Sequence, residues 1–159
     1  MFFTHTLSEA TKKMERYCAY QERCHKEVVS KLKEMHMIPE VIDQIMAHLI
    51  LENYLNEERF AKSFARGKFS IKKWGRNRIL KELKLRNISK YNIQTALQEI
   101  DEEDYKKTLD TLANKRVEQL TGKSLQEKRR KLADYLLYRG WENHLVYDKI
   151  QTLLKEHHL

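Results

Sequence analysis

The chain has 159 residues, 41% hydrophobic and 34% charged, and its 31 Lys and Arg against 23 Asp and Glu leave a formal charge of +8. That apolar fraction supports a folded core and argues against disorder, while the length allows one domain or a few small repeats folding together but not two large domains. Four Gly and one Pro are too few for the turns of a many-stranded protein, so the expected fold is all-α.

From the N-terminus, Met1-Phe2-Phe3-Thr4-His5 lacks the basic flank and long apolar stretch of a secretory signal. No apolar run approaches the roughly 18 residues that cross a bilayer. A cytoplasmic protein that makes no membrane contact is therefore expected, and, separately, a monomer. Cys18 and Cys24, six apart on what reads as one helix, point in different directions, so no disulfide is expected between them. Cys24-His25 has no second Cys/His pair at finger-like spacing, and neither metal nor cofactor is expected.

A threefold repeat organises the rest. A shift of 51 residues lays Val28, Leu32, Met37, Ile42, Met46 and Leu49 on Ile79, Leu83, Ile88, Ile93, Leu97 and Ile100, every pair apolar. A further shift of 53 reaches Leu132, Leu136, Trp141, Val146, Ile150 and Leu153. Only the outer intervals in each set keep one helical face, so each set predicts helix, turn, helix. Pro39 can begin a helix, Ser89 can cap one, and Gly140 follows Arg139 where a helix should end.

A further helical stretch precedes each pair, roughly residues 8 to 24, 56 to 68 and 101 to 119, with Ser8, Asn56 and Asp101 as candidate N-caps. The expectation is nine helices in tandem three-helix repeats at 1–55, 56–100 and 101–159, folding as one cooperative domain. Six buried apolar side chains per unit, at roughly 1.5 to 3 kcal/mol each before chain entropy, leave one unit marginal alone. The units are therefore expected to stack into an elongated, curved array with an extended binding surface.

Charge is concentrated in the middle repeat. Residues 66 to 86 carry Arg66, Lys68, Lys72, Lys73, Arg76, Arg78, Lys81, Lys84 and Arg86 against Glu82 alone, so this stretch holds the whole net charge. Phe69 and Trp74 lie among these cations, a pattern suited to a polyanion and to stacking on bases or partner side chains. Gly67, Ser70, Trp74 and Gly75 suggest a helix end, a loop and a new helix start, whose free backbone N–H groups could hold phosphate. Arg76 and Arg78 in that first turn oppose the helix dipole, so an external anion is expected for them. A second basic run, Lys128-Arg129-Arg130-Lys131, could extend the surface.

Catalytic signatures are missing. Gly122-Lys123-Ser124 imitates the tail of a phosphate-binding loop, but Val117 stands where its first glycine is needed, and Ser124 with Glu127 reads as a helix cap. No His-Glu-x-x-His or Gly-x-Ser-x-Gly pattern occurs, so an enzyme is not expected. The eight Tyr read as core residues with wet hydroxyls, and Trp141 falls in the core register that Trp74 escapes. On residues alone, a general DNA-binding helical repeat and a protein-interaction scaffold both stay open.

Tyr54-Leu55-Asn56-Glu57-Glu58-Arg59-Phe60-Ala61, then Trp74-Gly75-Arg76-Asn77-Arg78-Ile79 and Glu82-Leu83, resembles the central signature of the bacterial RecX regulatory proteins. Arg139-Gly140-Trp141 is similar to that family's Arg-Gly-aromatic turn. Asn87 stands where the family usually has a turn glycine, and Asn also tolerates the left-handed conformation. Trp74 replaces a common Pro. The resemblance implies three tandem three-helix repeats that bind the RecA filament on single- or double-stranded DNA through phosphates. It also implies restraint of that filament's recombination, ATPase and coprotease activities, without catalysis.

Overall fold

The computed structural model describes residues 5–157; Met1–Thr4, read above against a secretory signal, lie outside the described residues, as do His158 and Leu159. Among the described residues all regular structure is helical. The elements are α1 (Leu7–Tyr20), α2 (His25–Glu34), α3 (Pro39–Leu51), α4 (Glu57–Ser70), α5 (Arg76–Leu85), α6 (Lys90–Gln98), α7 (Glu102–Gln119), α8 (Leu125–Tyr138) and α9 (Asn143–His157). Among the described residues no helix is long and apolar enough to cross a membrane.

The repeat is written into the backbone of the turns. His36, Asn87 and Gly140, equivalent under the shifts of 51 and 53, take positive φ of 61°, 60° and 92°. The next residue in each case, Met37, Ile88 or Trp141, donates its N–H back to Leu32, Leu83 or Leu136 at 3.1, 3.2 and 3.2 Å. This is one helix-terminating motif used three times, and it explains how Asn87 serves without a glycine. Asn56, Ser89, Asp101 and Ser124 all cap helices, their side chains accepting from the N–H groups of Arg59, Asn92, Asp104 and Glu127.

Two expectations at the N-terminal end are corrected. The cap of α1 is Thr6, which accepts from the Glu9 N–H, not Ser8. The helix expected to run to residue 24 stops at Tyr20, and Cys24 begins α2 with its N–H bonded to the Glu27 carboxylate. The two cysteines therefore lie on different elements; both are buried free thiols. Burial raises both above the ordinary thiol value, Cys18 to about 11, so neither is poised as a nucleophile.

The chain forms two compact units, and α4, α5 and α6 each contribute to both. The first holds residues to Phe64 together with Leu83–Thr95. Its core includes Met14, Val28, Leu32, Ile42, Ile45 and Leu49, with Met37 and Met46 half-buried against it. The expected core position Met46 thus yields to Ile45, and Leu97 likewise to Ala96, because the fully buried stripe is rotated by one residue in the first two repeats. Arg59 fastens the end of α3, donating to the carbonyls of Asn53 and Tyr54 and pairing with Glu22 at 2.6 Å.

The second unit holds Ala65–Glu82 and the residues from Ala96 onward. All six expected core residues of the third repeat are buried, and Trp141 packs its ring on Tyr105 with centroids 4.4 Å apart. Four of the eight tyrosines depart from the core expectation: Tyr20, Tyr91, Tyr138 and Tyr147 are exposed.

Candidate nucleic-acid interface

Helix α4 ends at Ser70, and the chain turns through Ile71–Lys73 before Gly75 starts the next helix. Lys73 sits at φ 60°, and Trp74 donates its N–H back to the Lys68 carbonyl at 3.1 Å. This closes α4 at Ser70, three residues past Gly67, which stays helical; the left-handed residue that ends the helix is Lys73 rather than a glycine. Lys72 and Lys73 stand exposed at the bend.

The start of α5 is not a free anion cradle. The Gly75 N–H bonds to the Arg139 carbonyl at 2.8 Å, the Arg76 N–H to the Tyr105 hydroxyl at 2.8 Å, and the Asn77 N–H to the Gly140 carbonyl at 2.9 Å. The donors expected to hold phosphate are thus satisfied from α7 and the α8–α9 turn, so that expectation is corrected. Two glycines make the approach possible. A Cβ on Gly75 would lie 2.4 Å from the Gly140 oxygen, and one on Gly140 would lie 2.3 Å from the Arg78 Cβ.

Arg76 belongs to the same junction. Its guanidinium pairs with Glu102 and with Glu142, the latter at 3.1 Å, and lies 3.9 Å over the Tyr105 ring. The anion expected for it is internal. Tyr105 donates to Glu142, and burial followed by that bond holds its hydroxyl protonated well above the usual phenol range. The Trp141 indole N–H donates to the Lys73 carbonyl at 3.2 Å. Arg66 is paired as well, with Glu99 at 3.1 Å, and Lys68 lies 5.0 Å over the Trp74 ring.

Arg78, two residues beyond Arg76, has a different setting. Its guanidinium lies 4.2 Å over Trp74 and 4.9 Å over Tyr138, and it donates weakly to the Tyr138 carbonyl at 3.4 Å. No carboxylate among the described residues forms an ion pair with it. With Lys81 on the next turn, it lines an open cleft of about 390 Å³ whose other walls are Asn77, Glu82, Leu137, Tyr138 and Gly140.

The run Lys128–Lys131 lies in the first half of α8, and four consecutive helical residues fan round the axis by about 100° each. Arg130 and Lys131 stand seven residues before Leu137 and Tyr138, about two turns or 10 Å away, on the stripes that end at the cleft. Lys128 and Arg129 point to other sides of the helix. The structure therefore gathers Trp74, Arg78 and Lys81, sets Lys72 and Lys73 at the adjoining bend, aligns Arg130 and Lys131 with them, and leaves Lys128 and Arg129 off that line. Sequence reasoning missed Tyr138; the signal available was that Tyr138 immediately precedes Arg139-Gly140, at a helix end rather than in the core register. Among the described residues, no group of three or more His, Cys, Asp or Glu could hold a metal ion.

Comparison with known proteins is consistent with these features. Residues 56–97 match the family profile "RecX, second three-helix domain", and residues 102–150 match "RecX, third three-helix domain". The regulatory protein RecX of Serratia proteamaculans is 31% identical over 125 residues, covering 79% of this chain and 70% of that protein. That of Bacillus cytotoxicus is 24% identical over 140 residues, 88% of this chain and 52% of the relative. The chain spans about half the length of several curated relatives that it matches. The crystal structure of RecX from Lactobacillus salivarius superposes with a TM-score of 0.81 at 25% identity, covering 92% of this chain and 96% of that one.

Proposed function

Because the chain belongs to the RecX family, we propose that it is a non-catalytic regulator that binds the RecA filament on DNA and restrains its ATPase, recombinase and coprotease activities. The observation that supports this reading is the guanidinium of Arg78 beside Lys81, which among the described residues has no ion-pair partner, whereas the neighbouring Arg76 is neutralised internally. A cation held between aromatic rings without an acid partner is a ready contact for phosphate or for an acidic protein surface. Lys72, Lys73, Arg130 and Lys131 extend the positive field, and Arg66, Lys68, Arg76, Lys128 and Arg129 contribute less because they are engaged within the fold or turned from the cleft. Contact with phosphate and filament protein together tethers neighbouring filament subunits and hinders their rearrangement or growth. The regulator works in the cytoplasm as a monomer and needs no cofactor.

The test is RecA's DNA-dependent ATP hydrolysis with the purified chain added below stoichiometry, where a drop in rate is expected; no effect at saturation overturns the reading. Log affinity for the filament should fall with log salt by roughly 0.7 to 0.9 per neutralised phosphate. Replacing Lys72, Lys73, Arg78 and Lys81 by Ala should flatten that slope. An unchanged slope would place the phosphate contact elsewhere.

A further inference from the structure

Resting on the reading above, the geometry points to the α5–α8 cleft as a stacking site for single-stranded nucleic acid, with Tyr138 as the platform and Arg78 and Lys81 as the phosphate contacts. Tyr138 keeps 73% of its surface exposed although it ends a helix beside a packed junction. Among the described residues Arg78 lies over its ring and donates to its backbone carbonyl, and its hydroxyl has no hydrogen-bond partner. The ring thus carries a guanidinium over one face while most of the residue stays exposed.

Trp74, Arg78 and Tyr138 form a ladder of alternating ring, cation and ring, and a base laid on the outer face of Tyr138 continues it. Lys81, three residues on from Arg78 and on the same face of α5, stands exposed where a strand stacked there would carry its phosphate. Asn77 on the same wall supplies a side-chain amide able to meet a base edge. A duplex cannot use the ring, because its base faces are covered by their neighbours. An acidic peptide would use the cations but leave the aromatic face empty. The site is therefore selective for an unpaired strand, where phosphate contacts alone would serve either form.

The test compares binding of the full chain to a dT oligonucleotide and to a duplex of equal length, without recombinase and at fixed salt. Tyr138→Ala and Tyr138→Leu are expected to weaken dT binding about tenfold and leave duplex binding within twofold, while Tyr138→Phe stays near the parent. The slope of log affinity against log salt should not change in these variants, because no phosphate contact is removed. Equal losses on both ligands, or no loss on either, overturn the proposal. So does displacement of dT by polyglutamate with equal ease from the parent and Tyr138→Leu, which would assign the cleft to plain anions. The two readings separate cleanly. A parent chain that slows RecA while Tyr138→Leu keeps its dT affinity removes stacking and spares the regulator. A chain that ignores RecA yet loses dT in Tyr138→Leu does the reverse.

Discussion

Arg76 and Arg78 lie two residues apart on one helix and were indistinguishable in the sequence, yet they belong to opposite kinds of region. Around Arg76 the polar groups pair with one another: backbone donors meet carbonyls and the Tyr105 hydroxyl, the guanidinium meets two carboxylates, and two glycines let the backbones touch. Around Arg78 the cation meets, among the described residues, two rings and a carbonyl at the edge of an open cleft. A helix turns about 100° per residue, so a step of two carries the side chain from the buried flank to the outer one.

Substitutions should separate the two regions in size and kind. Gly75→Ala or Gly140→Asn should cost the most, at least about 2 to 3 kcal/mol of unfolding free energy in urea titration, because the new Cβ meets backbone or the root of a side chain that cannot yield. Asn in place of Gly140 is the sharper case, since Asn87 holds the same turn in the second repeat. Arg76→Ala should follow at about 1 to 3 kcal/mol, because Glu142 loses its charged partner in a mostly covered position and keeps only the Tyr105 hydroxyl; affinity measured on the folded fraction should keep its salt slope. Arg78→Ala should cost under about 1 kcal/mol in the same titration and lower the salt slope by nearly one phosphate equivalent.

A separate effect, on the pH dependence of stability, lies outside both regions and serves as their control. Burial raises Cys18 from 9.0 to about 11, so the folded state holds its proton where the unfolded state releases it. Stability from this group is complete below pH 9 and is lost as pH rises from there through about 11. Urea midpoints at pH 8 and pH 10 should show the decline, Cys18→Val should reduce it, and Arg78→Ala should leave it unchanged.

What could be read from the sequence was whatever repeats or acts locally. Apolar spacing located the helices and turns, and single polar residues located the caps at Asn56, Ser89, Asp101 and Ser124, because each bonds within three residues of itself. The break before Cys24 is not legible in the sequence because no glycine or proline marks it and its cap is formed by Glu27. The fate of Arg76 was illegible for a different reason. Its acid partners stand 26 and 66 residues away, and only the folded chain brings them to it. The acidic run from Asp101 starts a helix, as its local chemistry predicts, but Glu102 within it also faces a distant arginine. Tyr138 escaped because exposure of a ring at a helix end is a property of the packing around it.

The glycine-to-glycine junction also bears on how inactive alleles would be interpreted. A random screen for lost regulation would collect hits at Gly75, Arg76, Gly140 and Trp141, and plotted on a surface they would outline a patch resembling a footprint. That patch would chart where the protein comes apart. The residues that meet the partner would be found among alleles that accumulate to normal levels in the cell and still fail.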